Sequence, residues 1–171
     1  DSAWFAGFEL NVSCPNVDKG GAEFANDDEA LKQLIQASKK LCKQIPLMVK
    51  LSPLLNQPVE SAKRLESYGA DALSISNTLL AGLPDVGKNR WVIGRRYAGM
   101  SGPSLKPLAL RIVDQVAPKV GIPICGIGGI RSAQDVNEFL DAGAQVVQIG
   151  TANFSNPWVA RDIFQELNSS C

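Results

Sequence analysis

Short apolar runs alternate with helix-period segments along the chain. The runs are 8–12, 47–51, 72–76, 121–125 and 145–149, each five residues wide. After the first, Leu31, Leu34, Ile35, Ser38 and Leu41 recur at helical spacing, with Lys32, Lys39, Lys40 and Lys43 on the wetter faces and Asn26-Asp27-Asp28 as the cap. Further helices are expected over 59–68 and 106–116, from the Ser132 cap through Val136, Phe139 and Leu140, and over 158–167. Five strand runs, each followed by a helix, predict a parallel βα series. The stretch 79–102 breaks the rhythm. It is rich in Gly and long enough to expect a functional lid or a disordered segment, and its Lys88, Arg90, Arg95 and Arg96 read as a solvated loop face.

The carboxyl ends of the strand runs share a character. They read Asn11-Val-Ser-Cys-Pro-Asn16, Lys50-Leu-Ser-Pro53, Ser76-Asn-Thr78, Gly126-Ile-Gly-Gly129 and Ile149-Gly-Thr151. Ligands collect at this end of parallel α/β sheets. Pro15 cannot donate to a sheet ladder, so the first strand must end before it. The thiol of Cys14, set between the carboxamides of Asn11 and Asn16, is suited to removing a proton from a planar polar substrate. The plainer alternative is a small buried thiol with Asn residues satisfying turn backbone.

Gly128-Gly129 and Gly150-Thr151 close consecutive strands, where backbone N–H groups in a (β/α)8 barrel commonly hold a phosphate. Tight turning with positive φ would also account for them. Lys50 lies in a strand expected to be buried on both faces. An ammonium there needs an anionic cofactor or a carboxylate opposite it, and a structural ion pair would serve.

Composition narrows the chemistry. The chain has 171 residues, enough for one core, with 17 basic and 17 acidic side chains. That balance favours neither nucleic acid nor an anionic membrane as partner. No apolar run reaches the length of a membrane span, and the opening Asp1-Ser-Ala-Trp4 does not read as a signal peptide. Cys14, Cys42, Cys125 and Cys171 are scattered without a Cys-x-x-Cys pair, which suits reduced cytoplasmic thiols and argues against a zinc or iron–sulfur site in this chain. Histidine is absent, which excludes a Ser-His-Asp triad and a Cys-His pair. Acid–base work falls to Cys, Lys, Tyr or a carboxylate.

Taken in order, the strand-end motifs resemble the dihydroorotate dehydrogenase family, flavin enzymes of pyrimidine synthesis built on a (β/α)8 barrel. The resemblance rests on 9–17, 49–53, 76–79, 99–107, 126–130 and 149–154. Cysteine at position 14 looks like class 1, and Asn77-Thr78 with Ser101-Gly-Pro103 looks closest to the NAD-linked 1B branch. It implies an α/β fold of the TIM-barrel type with about five of eight βα units, so that 1–171 would be a partial FMN-binding domain.

The same resemblance implies roles for single residues. Cys14 would be the general base for dihydroorotate oxidation, with Asn11, Asn16, Asn77 and Thr78 holding the substrate. Asn11, Lys50, Ser76, Gly102, Gly128, Gly129, Gly150 and Thr151 would bind FMN. A homodimer and an iron–sulfur/FAD electron-transfer subunit are the expected partners. Two other readings share these motifs: a dihydropyrimidine dehydrogenase-like flavin domain, and a non-catalytic half-barrel.

Overall fold

The computed structural model describes residues 5–12, 27–42, 44–53 and 56–169. The expected parallel series is present. Strands β1 (Phe8–Leu10), β2 (Leu47–Leu51), β3 (Ala72–Ile75), β8 (Ile124–Ile127) and β9 (Val146–Gln148) form one sheet in that order. Every pairing in it is parallel. Helices α1 (Asp28–Cys42), α2 (Pro58–Tyr68), α3 (Lys106–Val116) and α4 (Ala133–Asp141) supply the crossovers, and α5 (Ala152–Ser155) and α6 (Val159–Ser169) follow β9.

The helices start where local chemistry satisfies their first amides. Asp27 Oδ1 accepts from Ala30 N at 3.0 Å at the head of α1. Ser132 and Asp135 form a reciprocal capping box on α4. Helix α2 opens on Pro58 and ends on Gly69, whose φ of 107° lies in the left-handed region.

One sheet face and the helices enclose the core. Leu47, Val49 and Leu51 from β2, Leu73 and Ile75 from β3, and Ile124 from β8 are all buried. They pack with Ile35, Ala62, Leu65, Ile112, Val113, Val116, Phe139 and Ile163. At about 25 cal/mol per Å² of apolar area, each large side chain here contributes a few kcal/mol.

The opposite face is different. It carries Glu9, Lys50, Ser74, Cys125 and Gln148, and Lys50, Ser74 and Cys125 stand in register across three strands. Lys50 Nζ lies 2.9 Å from Glu9 Oε1. Gln148 Nε2 donates to Glu9 Oε2 at 3.2 Å. Glu9 and Gln148 belong to the two edge strands, four strand spacings apart, which in a flat sheet would be about 19 Å. Their side chains meet only because the sheet is strongly curled, as the wall of a barrel is.

Two expectations shift. The fourth strand of the main sheet runs over 124–127 rather than 121–125. Pro123 has no N–H to donate; its carbonyl accepts from Leu73 N at 2.9 Å, and the paired register starts at Ile124. The stretch 79–102 is folded: β4 (Leu79–Ala81) pairs antiparallel with β7 (Ala98–Met100), and β5 (Pro84–Asp85) with β6 (Arg90–Trp91). Arg96 lies over the Trp91 and Tyr97 rings, and Lys88 and Arg90 pair with Asp85. Its cations therefore lie on a solvated surface, as expected.

Gly126 marks the tightest strand–helix approach, since a Cβ there would lie 2.4 Å from Phe139 Cδ1. Phe139 is fully buried and has no free space to move into. We expect Gly126→Ala to lower unfolding stability by about 1–3 kcal/mol through overpacking, measured by urea titration. An unchanged midpoint would show that the ring repacks without cost.

Candidate functional site

The loops after β8 and β9 and the segment leading to α3 meet at the carboxyl rim of the sheet. They enclose a cavity of about 270 Å³ lined by Gly102, Pro103, Gly129, Ile130, Arg131, Gly150, Thr151, Ala152 and Ser155. Gly102, Gly129, Gly150 and Thr151, all predicted as cofactor contacts, are thus brought together. At Gly102 and Gly150 a Cβ would meet nothing within 4 Å, so these backbones face open space. At Gly129, with φ of 72°, a Cβ would lie 2.8 Å from the Gly102 carbonyl oxygen. The two loops touch backbone to backbone, which only glycine allows.

Side chains fasten this wall. Thr151 Oγ1 donates to Ser101 Oγ at 2.7 Å. Asn153 Nδ2 donates to the carbonyls of Ile149 and Gly150 at 2.7 and 3.0 Å. Asp135 Oδ2 accepts from the backbone N–H groups of Arg131 and Ser132 at 2.9 and 3.0 Å, while its Oδ1 pairs with Lys106 Nζ at 2.6 Å. Lys106 also reaches Glu138 Oε2 at 2.6 Å.

The second part of the site lies at the ends of β1 and β3. Asn77 Nδ2 donates to Asn11 Oδ1 at 3.1 Å, joining two carboxamides predicted to hold substrate. Asn77 Oδ1 in turn accepts from Thr78 N at 2.8 Å. Ser76 is buried and donates through Oγ to the Asn77 carbonyl at 3.2 Å. The base of the 79–102 arm presses on this corner: a Cβ on Gly99 would lie 2.2 Å from Thr78 Oγ1.

Other predicted residues fall elsewhere. Gly128 is buried against Ala109 and Leu105 and does not line the cavity. Lys50 faces the Glu9 carboxylate on the inner sheet face, so of the partners expected for it the chain itself supplies the carboxylate. Cys14 and Asn16 lie outside the described residues. Cys125 is no substitute base. Burial, reinforced by the Glu9 charge, pushes its thiol up to about 11.

Sequence reasoning missed Glu9, the partner of Lys50, Gln148, which braces Glu9, and Arg131, which brings a cation to the cavity wall. An Arg one residue beyond Gly-Gly-Ile was the available signal.

Comparison with known proteins matches this architecture. A family model described as dihydroorotate dehydrogenase covers residues 4–171. The chain belongs to the dihydroorotate dehydrogenase family. It is 47% identical over 159 residues to the dihydroorotate dehydrogenase B (NAD(+)) catalytic subunit of Geobacillus sp. (strain WCH70), covering 93% of this chain and 50% of that protein. It is also 47% identical over 160 residues to the corresponding subunit of Desulforamulus reducens, covering 94% of this chain and 52% of that protein. The chain thus spans about half the length of the curated relatives it matches. Among solved structures, dihydroorotate dehydrogenase from Eimeria tenella in complex with ferulenol superposes with a TM-score of 0.76 at 23% identity, over 95% of this chain and 49% of that one. That likeness carries the fold. Membership confirms an α/β fold of the TIM-barrel type, of which five parallel strands are described here.

Asp135 gives this family member's cavity wall a pH dependence. Burial raises its carboxyl, but the bonds from Lys106, Arg131 N and Ser132 outweigh burial and hold it below the usual carboxylate range. Its contribution is therefore complete above the unfolded value of about 3.9 and is lost as pH falls through the lower folded value. We expect the melting-temperature gap between the native chain and Asp135→Asn to be widest near pH 6–7 and to close toward pH 3. A gap constant across that range would contradict the ion-pair account.

Proposed function

We propose that this chain serves the FMN-dependent oxidation of dihydroorotate to orotate in pyrimidine synthesis. The observation that carries the reading is the cavity at the carboxyl ends of β8 and β9, with glycine backbone facing it and Arg131 as its charged lining residue. It fits a phosphate: open space stands at the Gly102 and Gly150 backbone, and the charge is of the complementary sign. Gly102, Gly129, Gly150 and Thr151 would hold the FMN phosphate end, with Gly128 shaping the turn, and Ser76, Asn11 and Lys50 would serve the rest of the cofactor. Bound FMN supplies an acceptor for the hydride leaving C6 of the substrate.

The chain's own residues supply the remainder. The joined carboxamides of Asn11 and Asn77, with Thr78 and Asn16, present the donors and acceptors that a planar ring of amides and a carboxylate requires. Cys14 takes the C5 proton as thiolate. A free thiol is only a few per cent ionised at neutral pH, so the rate rises with pH unless the site lowers that value.

The B-type relatives named above are called catalytic subunits, which supports an electron-transfer partner carrying iron–sulfur and FAD groups. Self-association as a homodimer and residence in the cytoplasm complete the reading. Among the described residues no helix is long and apolar enough to cross a membrane.

The test is made on the full-length protein. It should purify yellow, release FMN on denaturation, and oxidise dihydroorotate in preference to dihydrouracil. Cys14→Ser should keep its flavin and lose roughly 10²–10⁴-fold in turnover at neutral pH. A colourless folded protein, or one faster on dihydrouracil, would refute the reading, and an unchanged Cys14→Ser rate would remove that residue from the base role.

A further inference from the structure

The inner face of the sheet holds an arrangement that the cavity and the substrate loops do not account for. Glu9 uses both carboxylate oxygens: Oε1 faces Lys50 Nζ at 2.9 Å, and Oε2 accepts from Gln148 Nε2 at 3.2 Å. The side chains of Lys50 and Glu9 are only 14% and 24% exposed. Beside them Ser74 Oγ is fully buried, and it is without a hydrogen-bond partner in normal geometry among the described residues. Three strands contribute to the ion pair and its amide brace, and the two outermost are the sheet's edges.

We infer that Glu9 is a positioning residue that holds the Lys50 ammonium at the flavin edge and offsets its charge there; this rests on the flavin reading above. A flexible four-carbon side chain does not by itself fix an ammonium in place. Glu9 restrains it from one side, and Gln148 restrains Glu9 from the opposite strand, so the ammonium has a defined position before any ligand arrives. The carboxylate stays ionised. Burial raises it, but Lys50, then Ser74 and Gln148, outweigh burial and keep Glu9 below the ordinary glutamate range. Lys50 therefore stands on the inner face as half of a pair, and less of its charge is available to a reduced, anionic flavin than a lone lysine would offer.

The consequence is a sign that a merely structural strut would not produce. In the full-length, flavin-loaded protein, Lys50→Gln removes the cation and should lower the flavin midpoint potential. Glu9→Gln keeps the shape, removes the opposing charge, and should raise it. The expected rise corresponds to about a tenfold change in the reduction equilibrium, about 30 mV for a two-electron couple. Glu9→Asp, which draws the carboxylate back by one methylene, should raise it less and provides the reading if Glu9→Gln does not retain flavin.

Potentials are measured by dye equilibration, with FMN affinity by fluorescence and melting temperature alongside. Lys50→Gln lowering the potential while both Glu9 variants leave it unchanged, or lower it, overturns this inference and leaves the flavin reading standing. An unshifted potential in Lys50→Gln removes Lys50 from the flavin edge and this inference with it, and a native protein without flavin removes the flavin reading as well.

Discussion

Curvature is the constraint on which the molecule depends, and the Glu9 carboxylate is where it shows. Strand twist and one-sided helix packing curl a five-stranded parallel sheet, and the curl brings a side chain of β1 to within hydrogen-bond distance of one on β9. Once the edges approach, the loops leaving the strands approach as well. Asn11 then reaches Asn77 across the gap between the first and third strands, and Thr151 reaches Ser101. A flat sheet with the same sequence would spread these groups along a line too long for one ligand.

Much of this was legible beforehand, for reasons that differ by element. Runs such as 47–51 and 72–76 announced themselves because strands buried on the helix side need large apolar groups at alternate positions, and the helices because their apolar spacing is distinct. The rim was legible because small and polar residues have no packing reason to recur at successive strand ends. Gly129 and Gly150 duly face one cavity, whereas Gly128 is taken up by Ala109 and Leu105. A Gly-Gly pair cannot say which member lines a site, since both conformations need glycine.

The misses share a cause. Glu9 sits between Phe8 and Leu10 in a run read as apolar, and on an isolated strand its side chain would point away from the helix side. Only the curl turns that outward side into an interior, and curl depends on how five separated segments come together. The arm over 79–102 was misjudged on length. Its ladders are two or three residues long, below what periodicity can register. Its register is held by local contacts, such as Arg96 on Trp91 and Tyr97, that have no sequence period at all.

The two faces of the sheet answer to different demands. On the helix side, Leu73, Ile75, Ile112, Val113 and Phe139 are fully buried, and cohesion is complete without charge. An ion pair on the inner side does not add to that cohesion with any efficiency, because desolvating two charges costs about as much as their attraction returns, and apolar residues of the same size commonly do as well or better. Stability alone would have filled this face with Val and Leu, as it filled the other. A lysine, a carboxylate, an amide and a buried serine hydroxyl occupy it instead. A flavin on the rim, as proposed above, would account for them, and the polarity of the inner face then belongs to the same proposal as the glycines.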